Sequence, residues 1–146
     1  MAFDFETSPG FIMERSSHLL RQLVRQTVKE LGLDLTPEEV AIIVALVTED
    51  GRRIGDLAQL LIRDATTLTR QIEGLEKKGC VERRPAADDR RVVEVFLTDR
   101  GREQFERFDP VLDGLRDQVM SGIEGRDLTI FLQCLRKVRE NLLSVS

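Results

Sequence analysis

Cysteine and histidine are scarce in this chain of 146 residues, which contains two Cys and one His. Cys80 and Cys134 lie far apart in the sequence and show neither CxxC nor metal-ligand spacing. Catalysis by a nucleophile and a base, like metal binding, needs several convergent side chains of these types. The adjacent acids Asp88 and Asp89 fall in a predicted turn, not in a cleft. The sequence therefore predicts a protein that is not an enzyme and that uses no metal or other cofactor.

Long apolar runs are also missing. No stretch approaches the ~18 residues of a membrane span, and the start MAFDFETSPG lacks the basic and apolar regions of a secretion signal. A domain of this length can bury enough surface to fold without disulfides, and a secreted disulfide framework would carry more cysteines. We therefore expect one intracellular domain, residues 1–146, that stays in the cytoplasm with no part in the membrane.

Positive charge is in deficit overall, because 22 Lys and Arg stand against 26 Asp and Glu. The distribution is uneven, since residues 52–102 contain 12 basic and 9 acidic side chains and the flanking segments are acidic. A basic middle fits contact with a polyanion such as DNA. A solvated helical surface accounts for the same charges equally well. Charge alone therefore leaves both interpretations open.

Apolar residues recur at helical spacing in six segments, and the breaks between them fall at typical helix starts and ends. Thr36 is followed three residues later by Glu39, which is the signature of a capping box. Asp64 suits the N-cap of the fourth segment, and Gly79 suits its left-handed end. The predicted helices are residues 11–31, 37–49, 55–61, 65–78, 99–123 and 128–142.

After the fourth helix the pattern changes to two short segments, CVERR and VVEVFLT, joined by the polar PAADDRR. This predicts a β-hairpin, and Ile54 is predicted to form a very short strand before the third helix. A short helix, a tight turn, a second helix and then a ribbon form the layout of a winged helix-turn-helix. We therefore predict a mainly α fold with a small β-hairpin wing. Its winged helix-turn-helix lobe covers 36–98, and N- and C-terminal dimerisation helices cover 11–32 and 99–146.

The middle of the chain, residues 53–101, also carries a specific series of motifs. They are Leu57-Ala58, Thr66 to Arg70, Leu75 to Gly79 (Leu-Glu-Lys-Lys-Gly), Arg83, Asp89 with Arg91, and Leu97-Thr98 with Gly101. In this order they closely resemble the MarR family of winged helix-turn-helix transcriptional regulators. The resemblance implies a homodimer that binds double-stranded DNA at a near-palindromic operator. It also implies a repressor relieved by a small aromatic or phenolic effector.

The fourth helix carries the predicted base-reading surface. If Leu68 and Ile72 point inward, a turn of about 100° per residue directs Thr66 and Arg70 outward into the major groove. Arg70 is the predicted base reader, because its planar fork can donate two hydrogen bonds to guanine. The same geometry places Glu73 and Lys77 outward and Thr69 at the edge of this face.

Other features of this helix leave alternatives open. Thr66, Thr67 and Thr69 suit phosphates or thymine methyls, and local capping of the first turn is the alternative for these threonines. Glu73 can accept a hydrogen bond from cytosine or pair with Arg70, and the pair is the favoured interpretation. Gly74 departs from the bulkier residue usual in the family, so the resemblance does not define the operator sequence.

Arginines of the hairpin supply the remaining predicted contacts. Arg90 and Arg91 lie at the tip, where a cation can enter the minor groove, and the resemblance favours Arg91 with Asp89 supporting the turn. For Arg83 and Arg84, phosphate contact is favoured over an ordinary solvated strand edge. The predicted DNA-binding residues are Arg63, Thr66, Thr67, Thr69, Arg70, Lys77, Arg83, Arg84, Arg90 and Arg91.

The first helix and the last two carry apolar stripes wider than a thin lobe can cover, which predicts a two-fold dimer. The predicted dimerisation residues are Leu20, Val24, Leu115, Leu128, Phe131 and Leu135. Two alternatives stay open: a winged helix that binds proteins, and a redox-responsive regulator that uses Cys80 or Cys134. A cysteine in either place is more commonly a small core residue.

Overall fold

The computed structural model describes residues 4–146. Its elements are α1 (Pro9–Glu30), α2 (Pro37–Thr48), β1 (Arg52–Arg53), α3 (Ile54–Leu61), α4 (Ala65–Lys77), β2 (Val81–Pro85), β3 (Val93–Leu97), α5 (Asp99–Val119) and α6 (Gly125–Val145). The predicted fold class, mainly α with a small winged sheet, is confirmed. Over the described range, no helix combines the length and the apolar character needed to cross a membrane.

The predicted capping residues start the helices for local chemical reasons. Thr36 Oγ1 accepts from the Glu39 amide at 3.1 Å, and the Thr36 amide donates back to Glu39 Oε1 at 3.1 Å. Asp64 accepts the Thr67 amide at 2.8 Å, which satisfies an amide that has no partner within α4. Gly79 follows the end of α4 and has a φ of 75°, a left-handed conformation that costs glycine little. The sequence-based capping predictions are confirmed at all of these positions.

The wing is part of a three-stranded antiparallel sheet with the order β1-β3-β2. Val81 pairs with Leu97 and Pro85 with Val93 along the hairpin. The prediction that Ile54 forms a strand is wrong, because the strand is Arg52–Arg53 and Ile54 begins α3. The two arginines pair with the centre of β3, and the chain turns into a helix at once. Pairing with a distant strand, not the apolar character of residue 54, places this element.

The core of the winged lobe lies where α2, α3 and α4 pack together and against the sheet. Its fully buried residues include Ile42, Ile43, Leu46, Leu57, Leu68, Ile72, Leu75, Val81 and Val95. Burial of each such side chain is worth about 1.5–3 kcal/mol, so this core holds α4 in a definite orientation.

The chain forms two compact units, one ending at Val111 and the other covering Leu112–Ser146. In the second unit, no residue of α6 is buried across Gly125–Val145, and Phe131 and Leu135 are each 38% exposed. In the first unit, Leu20 on α1 is exposed as well. Val24, Leu115 and Leu128 are half-buried. A single chain thus leaves the predicted dimerisation residues at least partly uncovered, and dimerisation stays a prediction.

Ile62, at the turn between α3 and α4, adopts a left-handed conformation with φ 52° and ψ 57°. This region disfavours L-residues by about 1–2 kcal/mol, most of all β-branched ones. We expect Ile62→Gly to raise the free energy of unfolding by about 0.5–1 kcal/mol, because the relief of strain exceeds the extra entropy of unfolded glycine. The side chain is 55% exposed, so little burial is lost. Urea denaturation monitored by circular dichroism measures the change.

Leu60 is the matched control for this prediction, because it is also exposed but lies within the helical backbone of α3. Leu60→Gly should lower the stability by about 1 kcal/mol, the usual cost of glycine in a helix. A similar loss of stability in both variants would contradict the strain at Ile62.

Candidate nucleic-acid interface

Helix α4 presents one buried and one exposed face. Leu68, Ile72 and Leu75 are fully buried. On the other face the structure leaves Thr66, Arg70, Glu73 and Lys77 exposed, with Thr69 half-buried at the edge. The 3.6-residue period of a helix accounts for this division. The surface offers hydroxyl and guanidinium donors to a partner, which suits hydrogen bonding to base edges.

Thr67 is a part of the helix cap. Its hydroxyl donates to Asp64 Oδ2 at 2.7 Å, in addition to the bond from its amide. These two hydrogen bonds hold the pKa of the Asp64 carboxyl below its usual range. For Thr67 the capping alternative is therefore correct. The predicted DNA contacts of Thr66 and Thr69 stay predictions.

A cluster of charges joins α4 to the wing. Arg83 donates to both carboxylate oxygens of Glu76, at 2.9 and 3.3 Å, and lies 3.8 Å from Glu73 Oε1. The same contacts raise the pKa of Arg83 and lower that of Glu76. The favoured pairing of Glu73 with Arg70 is wrong, because Glu73 faces Arg83 on β2. The cluster fixes the angle between helix and wing, and a phosphate contact of Arg83 stays a prediction.

Arg63 lies between α3 and α4 and contacts both α2 and α4. Its guanidinium donates to the Glu38 carbonyl at 3.1 Å and to Gln71 Oε1 at 2.9 Å. Burial lowers its pKa, helped by the nearby positive charge of Arg21. The sequence predicted a DNA contact for Arg63, but the observed contacts give it a positioning role between α2 and α4. A DNA contact by the same residue stays a prediction.

The wing tip is organised by two acids. Asp89 accepts from the Arg91 amide at 3.0 Å and from its guanidinium at 3.1 and 3.2 Å. Asp88 forms a bidentate pair with Arg53 of β1, at 2.9 and 2.7 Å. The Arg91 side chain is nevertheless 92% exposed. It lines a groove of about 460 Å³ together with Arg53.

The pair of Arg53 and Asp88 was missed in the sequence, because its members are 35 positions apart. The only local signal was Asp88, a second acid beside Asp89, which matches the family motif. Two further arginines of the hairpin differ in their surroundings. The Arg84 guanidinium lies 4.4 Å from the centre of the Phe96 ring and pairs with Glu82, whereas Arg90 is exposed.

The cysteines occupy different environments. Cys80 is fully buried, and burial raises the pKa of its thiol, which disfavours the reactive thiolate. Cys134 is exposed, so its interpretation as a core residue is wrong within one chain. No group of three or more His, Cys, Asp or Glu side chains is placed to hold a metal ion anywhere in residues 4–146.

Comparison with known proteins identifies the same region. A model of the MarR family matches residues 35–93. The uncharacterised HTH-type transcriptional regulator YdgJ of Bacillus subtilis is 28% identical over 90 residues, which are 62% of this chain and 55% of that protein. The chain thus matches about half the length of this curated relative.

Solved structures extend the likeness to nearly the whole chain. A MarR-family transcriptional regulator from Silicibacter pomeroyi is 26% identical with a TM-score of 0.78, covering 94% of this chain and 92% of that one. S. aureus MepR, solved as a complex with DNA, shares the fold with a TM-score of 0.84 at 23% identity, covering 94% and 98%. The family match, these relatives and the winged architecture agree: the chain is similar to regulators of the MarR family, whose model matches its winged lobe.

Proposed function

We propose that the chain is a sequence-specific DNA-binding transcriptional regulator, a repressor that acts as a homodimer in the cytoplasm and is relieved by a small effector. The observation that carries the proposal is the exposed face of α4, with Thr66 and Arg70, set beside a wing whose tip holds Arg91 exposed. The MepR relative was solved on DNA, which supports this use of the fold.

In the proposed complex, α4 lies in the major groove. Arg70 donates two hydrogen bonds to a guanine edge, and Thr66 and Thr69 contact phosphates or thymine methyls. Asp64 defines where the helix begins, while Arg63 and the cluster of Arg83 with Glu76 hold it in place. Because these contacts are made before DNA arrives, less conformational entropy is lost on binding.

The wing would enter the adjacent minor groove. Its negative potential attracts Arg91 and Arg90 without reading many bases. Asp89 directs Arg91, and the pair of Asp88 with Arg53 anchors the tip to β1. The wing therefore contributes affinity for DNA in general, whereas α4 contributes the choice of sequence.

Two copies are needed for an operator with two half-sites. The partly uncovered apolar residues of α1, α5 and α6 supply the proposed dimer contact. A two-fold pair then presents two α4 helices to half-sites about 10–10.5 base pairs apart, or a multiple of that distance.

Binding of the purified protein to random duplex DNA tests this function. We expect measurable binding at low salt and a steep fall as salt rises, with a log–log slope of about −0.9 for each phosphate neutralised. Fluorescence anisotropy at several salt concentrations measures the slope. An Arg90→Ala, Arg91→Ala double variant should reduce the magnitude of this slope by the contribution of roughly two phosphate contacts. Arg126→Ala, an exposed arginine of α6, should leave it unchanged.

A module that binds proteins would show no affinity for duplex DNA even at the lowest salt concentration. That result would reject the proposed function.

A further inference from the structure

A second basic surface lies on the first unit, around the C-terminal end of α4. A cleft of about 540 Å³ is formed there by the α1–α2 loop, the last turn of α4 and the first turns of α5. Its lining residues are Gly32, Leu33, Asp34, Lys77, Lys78, Arg100, Gln104 and Arg107. Four of these are cations and one is an acid, and the volume lies within the range of small-molecule sites.

The cations of the cleft are only partly neutralised. Lys78 Nζ lies 2.8 Å from Glu39 Oε1 and 3.8 Å from Asp34. Lys77 and Arg100 are exposed, and neither lies within salt-bridge distance of a carboxylate among residues 4–146. The cleft therefore holds a surplus of positive charge that an anion would balance.

Gln104 supplies an independent sign of a ligand. This side chain is only 9% exposed and lines the cleft, and its Oε1 atom has no hydrogen-bond partner within the described part of the chain. Buried side-chain polar atoms are nearly always hydrogen-bonded. This oxygen is an acceptor, so the ligand that satisfies it must carry a hydroxyl donor in addition to the anionic oxygens that the cations attract.

We propose that this cleft binds a small polyanion that carries a phosphate group or two carboxylates, together with a hydroxyl group that donates to Gln104 Oε1. Arginine forks and lysine ammonium groups recognise such oxygens by charge-assisted hydrogen bonds. Leu33 is the one large apolar residue of the lining, and it is itself buried. The cleft is therefore unsuited to the aromatic or phenolic effector that the family resemblance implies, and it selects a different ligand class.

The site is coupled to the base-reading helix by direct contact. Lys77 is the last residue of α4, and Lys78 joins it to the capping box of α2 through Glu39. A ligand that draws these lysines toward Arg100 changes the contacts that hold the end of α4. By linkage, anion binding and DNA binding then alter each other by the same factor. This regulatory part rests on the proposed function, whereas the site itself does not.

Titration of the DNA-free full-length protein with inorganic pyrophosphate tests the site, at neutral pH, where this anion keeps a P–OH group that can donate to Gln104 Oε1. Ionic strength is held constant with sodium chloride, and the backbone amides of Gly32 and Gly79 are followed by NMR. We expect saturable shifts with one ligand for each chain, similar shifts with citrate, and much weaker ones with benzoate. Arg100→Gln and Lys77→Gln should each weaken pyrophosphate binding by about tenfold, the effect of losing one charge-assisted contact. The control Arg126→Gln should bind like the wild type.

Gln104→Met separates ligand binding from a structural role, because it keeps the side-chain volume and removes the unpartnered oxygen. It should raise the melting temperature and still weaken pyrophosphate binding. Non-saturable shifts at constant ionic strength, or equal weakening by Arg126→Gln, would overturn the site. The site would also be rejected if the free protein bound no pyrophosphate and Arg100→Gln lost affinity for DNA. The cations would then belong to the DNA interface. Pyrophosphate binding by a protein that fails to bind DNA would leave the site intact and reject only the proposed function.

Discussion

Replacing Gly101 by alanine should destabilise the protein by about 3 kcal/mol or more, the upper range for an overpacked core position. An added Cβ would lie 2.3 Å from the Cys80 carbonyl oxygen and 2.9 Å from Leu97 Cδ2. The backbone cannot move away easily, because the Thr98 amide donates to that same carbonyl at 3.0 Å. The Thr98 hydroxyl also accepts from the Gly101 amide at 3.1 Å. Thermal and urea denaturation measure the loss.

Gly55→Ala in α3 is the matched control, because a Cβ at that position meets no atom within 4 Å. This variant should be unchanged or more stable by up to about 1 kcal/mol, since alanine favours the helix. Wild-type stability in Gly101→Ala would contradict the close packing of α5 against Cys80.

Arg70→Ala should relax the base preference of the protein at one position of each half-site, because one bidentate contact with guanine is worth about 1–3 kcal/mol of discrimination. The operator is first obtained by selecting bound sequences from a random duplex pool with the wild-type protein. Gel-shift titrations then compare the operator with duplexes mutated at single positions. We expect the variant to lose about tenfold or more in preference at one guanine of each half-site and to retain binding to random DNA.

Arg91→Ala serves as the comparison for this prediction, because a cation in the minor groove adds affinity with little sequence discrimination. It should weaken operator and random DNA by the same factor. If both variants bound every duplex as the wild type does, the proposed placement of α4 and the wing on DNA would be rejected.

Several features followed from the sequence because they are encoded by neighbouring residues. The helix starts at Thr36 and Asp64 depend on hydrogen bonds spanning three positions, and the left-handed end at Gly79 depends on one residue. The two faces of α4 follow from the helical period alone. The family motifs lie within the same continuous segment, which is why the sequence predicted both the fold and the resemblance to the family.

What the sequence could not specify was which charged side chains pair. Of its many charged residues, 33% of the chain, most have several candidate partners at similar distance along the sequence. Folding decides among them: Arg83 meets Glu76 because β2 lies against α4, and Arg53 meets Asp88 across 35 positions because β1 pairs with β3. That Lys77 and Arg100 lack a carboxylate partner, and that Gln104 Oε1 has no hydrogen-bond partner in the described residues, becomes visible only in that context.

The sequence by itself therefore determined the order of the elements, their capped ends and the composition of the exposed face of α4, since these depend on contacts within a few residues. Only the tertiary structure decided the left-handed strain at Ile62, the anchoring of the wing and the basic cleft beside Lys77. Those features arise where segments distant in the chain are brought together by burial of a common apolar core, which no local pattern records.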